Sequence, residues 1–291
     1  MTNLLEVKNL TVKFPTRHGV FEAVRRISFS LGRERLGIVG ESGSGKSMTG
    51  RAILRLIKSP GILEADYITL EGKDLLTLSE KEMRRVRGHR ISMIMQDPKF
   101  SLNPVMRIGD QICEGYRLHA RASRAEAKKK TLSMLETVLI RDPERVFNAY
   151  PHEMSGGMGQ RIMIAMMLIP DPQILIADEP TSALDVTVQK EVLEIMDKLV
   201  RERGMGLIFI SHDLNVVSAF CDRVLIMYSG RIVETCRADQ LHEATHPYTV
   251  GLLNSIPQLE HPVDHLEVLQ RDDAWSKDPS VSGIVETEEI A

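Results

Sequence analysis

The chain has 291 residues, 43% of them hydrophobic and 26% charged, with a formal net charge of −3, enough for one large domain or two smaller cores. The slight acidity gives no basic footprint for nucleic acid. Three separated cysteines, Cys113, Cys221 and Cys236, form no C-x-x-C pair, which argues against a disulfide scaffold or zinc site and fits a reducing cytoplasm.

The N-terminal stretch Met1–Asn9 carries charges inside its apolar run and lacks a signal-peptide core. No apolar run approaches the roughly eighteen residues of a membrane helix. The expectation is a soluble protein whose membrane role, if any, comes through partners.

Leu4 to Phe14 alternates as a strand, and Val20 to Leu31 holds further strand-like segments around Ile27 and Phe29. Phe14 and Phe21 are aromatics that could stack on a nucleobase, although an early phenylalanine is more often core. A short strand, Arg35 to Val39, stops at Gly40, and Glu41-Ser42-Gly43-Ser44-Gly45-Lys46-Ser47 follows. A helix then opens at Lys46, its apolar period reaching Ile57. This is the pattern G-x-x-x-x-G-K-[ST] between strand and helix, a phosphate-binding loop. Its glycines let backbone N–H groups face an anion, and the helix dipole adds to that field. Lys46 suits the β- and γ-phosphates, and the Ser47 hydroxyl suits Mg²⁺.

Further on, Tyr67 to Leu70 reads as a strand, Ser79 to Val86 as a helix with a capping box, and Ile91 to Met95 as a buried strand ending at Gln96. Met106 to His119 and Arg124 to Leu139 have helical spacing, a helical insertion in an α/β body, with Lys128–Lys130 as a solvated face. Ser155-Gly156-Gly157 reads as a second glycine-rich turn feeding a helix, from Ile162 to Ile169, able to approach an anion but lacking a lysine. Met163, Met166 and Met167 read as core filling. Ile174 to Ala177 delivers Asp178 and Glu179 to a strand end, where an Mg²⁺ shell and a base for water are needed. Ser182 to Asp185 leads to a helix over Val186–Arg201. A further strand, Gly206 to Ile210, delivers His212 to the same edge. Arg223 to Glu234 reads as a hairpin turning at Ser229-Gly230, with helical signals around Ala238–His242 and Tyr248–Ile256. From Gln258 the chain is acidic and irregular.

The ordered set Gly40–Ser47, Gln96, Ser155–Arg161, Ile174–Glu179, Ser182–Asp185 and His212 resembles the nucleotide-binding subunit of an ABC transporter. The order is that of its Walker A, Q-loop, signature, Walker B, D-loop and H-loop. Gln96-Asp97-Pro98 with Ser101-Leu102-Asn103-Pro104, and His246-Pro247-Tyr248-Thr249 with Ile256-Pro257, are similar to the dipeptide/oligopeptide/nickel importer subfamily, as is Met158. Gly159, where a basic residue is often seen, departs from the pattern.

The resemblance implies a P-loop NTPase (RecA-like) α/β core, an N-terminal antiparallel β subdomain and an inserted helical subdomain near residues 98–165, within a cassette over 1–257. Residues 258–291 would form an acidic tail. Gly40, Ser42, Gly43, Ser44, Gly45, Lys46 and Ser47 would hold ATP, with Phe14 rather than Phe21 on adenine, since the family's aromatic ends the first strand. Ser47, Gln96 and Asp178 would serve Mg²⁺, Glu179 would be the base, and His212 would hold the γ-phosphate. Ser155, Gly156 and Gly157, with Asp185, would act at the shared face of two cassettes. That fits two anion-ready helix starts but one lysine-bearing loop. Implied partners are a second ATPase subunit, two permease subunits and an extracytoplasmic solute-binding protein, at the cytoplasmic face of the inner membrane, with no nucleic acid. No cysteine follows Cys236, so the iron–sulfur tail of many relatives is not expected. The alternatives are nickel or another small solute as cargo, a soluble ATPase acting on nucleic acid or ribosomes, and a small-molecule P-loop kinase.

Overall fold

The computed structural model describes residues 3–95, 101–182, 184–255 and Trp275. The chain divides into two units, Met1–Thr77 with Phe209–Ala291, and Leu78–Ile208. In the first unit, β1 (Leu5–Thr16) and β2 (Gly19–Leu31) form one antiparallel hairpin, with Leu5, Val7, Leu10, Val12, Val24, Ile27 and Leu31 buried. The second strand is continuous where its sequence suggests only segments. Cross-strand pairing carries the ladder through polar Glu22, against Lys13, which alternation alone cannot foresee. The first strand also runs past Phe14, which faces Phe21 across the hairpin instead of ending the strand.

β3 (Arg35–Val39) is fully buried beyond Arg35, and α1 (Lys46–Ile53) follows the phosphate loop. The helix stops four residues before the apolar period does. Arg55 adopts a left-handed φ of 52°, while Leu56 N–H donates to the Arg51 carbonyl and Arg55 N–H to that of Ala52, both at 2.8 Å, a Schellman stop. β4 (Ile62–Glu64), β5 (Tyr67–Leu70) and β6 (Lys73–Asp74) extend the hairpin into a sheet of order β2-β1-β5-β6, with β4 on β1. β4 and β6 are too short for any period to reveal.

The second unit begins with α2 (Glu80–Val86), whose Ser79–Glu82 capping box is formed in full, and β7 (Ile91–Ile94). Met95, expected at the end of that strand, lies beyond it and is exposed. α3 (Ile108–His119), α4 (Arg124–Thr137) and α5 (Pro143–Asn148) follow, capped at Ser123 and Asp142 for the last two. They bury Ile112, Ala127, Met134, Leu135 and Val146. Lys128 is solvent-facing but pairs with Glu144 at 3.3 Å. α6 (Gly156–Leu168) begins six residues earlier than the sequence suggests, because Ser155 caps it and the glycines form its first turn. Met163 is fully buried, whereas Met166 and Met167 are half-buried. β8 (Ile174–Asp178) runs parallel to β7, and α7 (Val186–Arg203) ends at Gly204 in a left-handed conformation.

β9 (Gly206–Ser211) carries the chain back into the first unit. There α8 (Leu214–Phe220), β10 (Arg223–Tyr228), β11 (Arg231–Arg237), a 3₁₀ turn over Ala238–Glu243 and α9 (Pro247–Asn254) complete the described fold. The strand order is β11-β10-β3-β9 in the first unit and β9-β8-β7 in the second. β10 is parallel to β3 and antiparallel to β11, turning at Ser229 and Gly230, both at positive φ. Arg35 holds Asp222 at 2.6 Å, and Arg223 reaches Glu34 at 2.8 Å and the Ser30 carbonyl at 2.6 Å. These bonds tie the start of β3 to residues nearly 190 positions later.

Candidate functional site

The apolar strand β3 brings the loop Gly40–Ser47 to its carboxyl end. Gly40 has φ 155°, and any side chain there would drive into the Met227 carbonyl. Gly45 has φ 104°, and its added Cβ would stand 2.5 Å from the Ala23 carbonyl. Glycine is required at both by close backbone approach as well as by conformation. Gly43 is different: also left-handed, it has open space where a side chain would go. Behind the loop, Gly230 N–H donates to the Ser44 carbonyl at 2.9 Å, so the β10–β11 turn braces it.

Lys46 is 5% exposed. Its ammonium group donates to the carbonyls of Gly40 at 2.7 Å and Glu41 at 2.8 Å. The Ser44 hydroxyl oxygen is buried with no hydrogen-bond partner among the described residues. A buried cation lying along a curled backbone, beside an unsatisfied hydroxyl, fits an arriving anion of triphosphate type. Ser47, half-exposed in the first turn of α1, supplies a hard oxygen of the kind magnesium takes. A cleft of about 370 Å³ opens against the loop, lined by Val39, Gly40, Glu41, Ser42, His212 and Leu252. His212 therefore joins the loop in the first unit, exposed at the end of β9. Phe14 lies in the same unit, half-buried, with its ring against Gly61.

The second unit holds the carboxylates. Asp178 is 2% exposed at the end of β8, and Glu179 follows with φ 47°. A non-glycine residue costs about 1 kcal/mol or more in that conformation, which Arg55 and Ser229 also adopt in ordinary turns. The turn at Glu179 is held by Ser182, whose hydroxyl donates to the Glu179 carbonyl at 3.2 Å. Among the described residues no cluster of three histidine, cysteine or acidic side chains could hold a metal alone. Magnesium is commonly held by one or two protein oxygens together with phosphates and water, and the Ser47 hydroxyl and the Asp178 carboxylate are oxygens of that kind.

Ser155 caps α6, accepting from Met158 N–H at 3.4 Å, and both Ser155 and Gly156 are exposed. A Cβ at Gly157 would lie 2.7 Å from a Val188 methyl, while one at Gly156 would meet nothing within 4 Å. Asp185 caps α7, accepting from the N–H groups of Thr187 and Val188 at 3.1 Å. The turns carrying Ser155–Gly157 and Asp185 thus meet inside one unit, and Arg161 pairs with Glu191 between the same helices. Gln96 lies outside the described residues. Sequence reading missed Tyr248 and Leu252 as neighbours of the phosphate loop: the His246–Thr249 motif carries a family likeness but nothing that places it against the loop, where Glu41 stands 207 positions before Tyr248.

The ABC transporter family model matches residues 24–182. The chain is 52% identical over 263 residues to the oligopeptide transport ATP-binding protein OppD of Bacillus subtilis, covering 89% of this chain and 74% of that one. It is 46% identical over 268 residues to OppD of Haemophilus influenzae, covering 91% and 83%. Among solved structures it is similar to a dimeric bacterial ABC transporter cassette, with TM-score 0.72 and 26% identity over 80% of this chain and 98% of that one. A post-hydrolysis dimer of an ATP-binding cassette bound to ADP and Pi matches with the same figures.

Proposed function

Because the chain belongs to the ABC transporter family, we propose that it is the ATP-binding and ATP-hydrolysing subunit of a peptide importer. It works at the cytoplasmic face of the inner membrane and energises uptake through two permease subunits fed by a solute-binding protein. Its fold is the α/β P-loop cassette that the sequence pattern leads one to expect. The observation carrying the ATPase reading is the buried Lys46 ammonium, parked on two loop carbonyls beside a cleft that His212 also lines. The peptide reading rests on the names of relatives near 50% identity.

In this reading Lys46 leaves the Gly40 and Glu41 carbonyls for the β- and γ-phosphates, and N–H groups of the Gly40–Ser47 loop surround the anion. Mg²⁺, when bound, neutralises charge on the phosphate oxygens, and Ser47, Asp178 and Gln96 would hold it. Glu179 takes the proton of the attacking water, and His212 donates to a γ-phosphate oxygen. Phe14 is the residue assigned to adenine. Ser155, Gly156, Gly157 and Asp185 close the site of a second cassette in a head-to-tail pair, identical or homologous. The exposure of Ser155 and Gly156 at the start of α6 supports this role. Hydrolysis removes the γ-phosphate contacts and lets the pair open, a two-state switch. Residues 1–257 form the cassette, with the helical part near 98–165 passing motion to the permease. The sequence of 258–291 has no cysteine, so no iron–sulfur cluster is expected there.

The test is ATP hydrolysis in vesicles containing the cognate permease subunits and binding protein. Stimulation by peptide supports the proposal. Stimulation by nickel alone moves the cargo, and stimulation by nucleic acid without membranes refutes the transporter reading.

A further inference from the structure

Helix α9 opens with His246-Pro247-Tyr248-Thr249, a motif to which the reaction assigns no work. Its start is anchored on β11: the Glu234 carboxylate accepts from the N–H groups of Thr245 at 2.7 Å and His246 at 3.2 Å. His246 Nδ1 in turn accepts from Tyr248 N–H at 3.1 Å. That holds the Tyr248 backbone; its ring is fully buried, and its hydroxyl accepts from the backbone N–H of Glu41 at 3.1 Å.

The Glu41 N–H and the Gly40 carbonyl belong to one planar peptide group, and in a trans peptide the two point in opposite directions. Tyr248 grips the group at its nitrogen; the Lys46 ammonium grips it at its oxygen, at 2.7 Å. The hydroxyl therefore sets the tilt of the plane on which the phosphate-binding lysine rests. Leu252, one turn further along α9, lines the cleft with His212 and the loop residues Gly40, Glu41 and Ser42, so the helix borders the cleft as well as holding the loop. Trp275, the only tryptophan in the chain, packs on this cluster with ring centroids 6.1 Å from Tyr248 and 5.9 Å from both Tyr228 and His246.

We propose that Tyr248 is a positioning residue of the phosphate loop, orienting the Gly40–Glu41 peptide for Lys46, and that Trp275 is packed to register the state of that loop. The inference rests on the ATPase reading. When a phosphate draws Lys46 away, the peptide plane loses its Lys46 anchor and the aromatic cluster feels the change. Without the hydroxyl the loop samples other tilts, which nucleotide binding must then restrict.

The experiment uses the full chain with MgADP. In the unmodified protein, titration is expected to change Trp275 emission, and W275F is expected to bind equally well without the signal. Y248F, which keeps the ring, is expected to bind about threefold to tenfold more weakly, the worth of one hydrogen bond. It should retain its thermal midpoint within a few degrees. Hydrogen exchange at the Glu41 amide of the unmodified protein gives a readout independent of any variant: it should be slow, and fast in Y248F. Binding without a change of Trp275 emission, unchanged affinity in Y248F, or rapid exchange of the Glu41 amide in the unmodified chain would each overturn this inference alone. Failure of the unmodified chain to bind MgADP would sink the ATPase reading and this inference together.

Discussion

Gly156→Ala separates what the fold requires from what the reaction requires. Gly156 is the first residue of α6, exposed, and a Cβ built on it meets no atom within 4 Å. In a helix, alanine is favoured over glycine by about 0.8–1 kcal/mol, and part of that gain applies in a first turn. For a chain of this size the gain corresponds to a thermal midpoint raised by roughly 1–2 °C. The isolated cassette should therefore be slightly more stable. If the open space over Gly156 receives the triphosphate of a partner cassette, the added methyl overpacks that contact by about 1–3 kcal/mol. That slows ATP turnover in the assembled transporter by roughly fivefold to 150-fold. Gly157→Ala is the control: its methyl strikes Val188 at 2.7 Å, so it should lower stability in the isolated chain as well. The assays are calorimetry on the isolated protein and phosphate release from the reconstituted complex. A stabilised Gly156→Ala variant with normal turnover would refute the shared-site reasoning; a strongly destabilised one would refute the packing on which it rests.

Three further outcomes are expected. Glu179→Gln should keep ATP binding while turnover falls by about 10²- to 10⁴-fold, the usual worth of a general base, leaving a nucleotide-trapped dimer visible by size-exclusion chromatography. Lys46→Ala should weaken ATP binding in equilibrium titration, and unchanged affinity would count against the phosphate-loop role. Cys221 is buried beside α8, and burial pushes its thiol from 9.0 up to about 12. Because the unfolded thiol ionises first, its contribution is whole below pH 9 and is lost as pH rises toward 12. Between pH 9 and 10 this amounts to about 1 kcal/mol, so denaturant titrations should show a shallower alkaline loss in Cys221→Ala than in the parent.

The phosphate loop, the buried strand before Asp178 and the Ser79 capping box could be read from sequence because each is local: a fixed spacing, an apolar run, a cap three residues from its partner. Other features depend on residues remote in the chain. The long β2 strand follows from its pairing with β1 more than from its own alternation. α5 was missed although Asp142-Pro143-Glu144 is a recognisable helix start, because only six residues follow it. α8, at seven residues, is likewise too short to show a period. The glycines at 156 and 157 suggested an open turn; the Ser155 cap and the Val188 contact hold them in a helix. In the site, residue types were legible but their supports were not. Tyr248 stands 207 positions from the amide it accepts from, and no motif spacing encodes that.

Translation order matters for a unit built from both ends of one polypeptide. The ribosome releases Gly40–Ser47 early, yet the surfaces that shape it, from Met227, Gly230 and Tyr248, emerge only after the whole of Leu78–Ile208 has been made. Until then β3 lacks β10, Arg35 lacks Asp222, and an apolar strand edge stands open to misassociation. A product stopped near residue 208 would carry the phosphate-loop sequence without the backbone walls that curl it. The shape of the phosphate loop is thus completed only when β10 and α9 have been made.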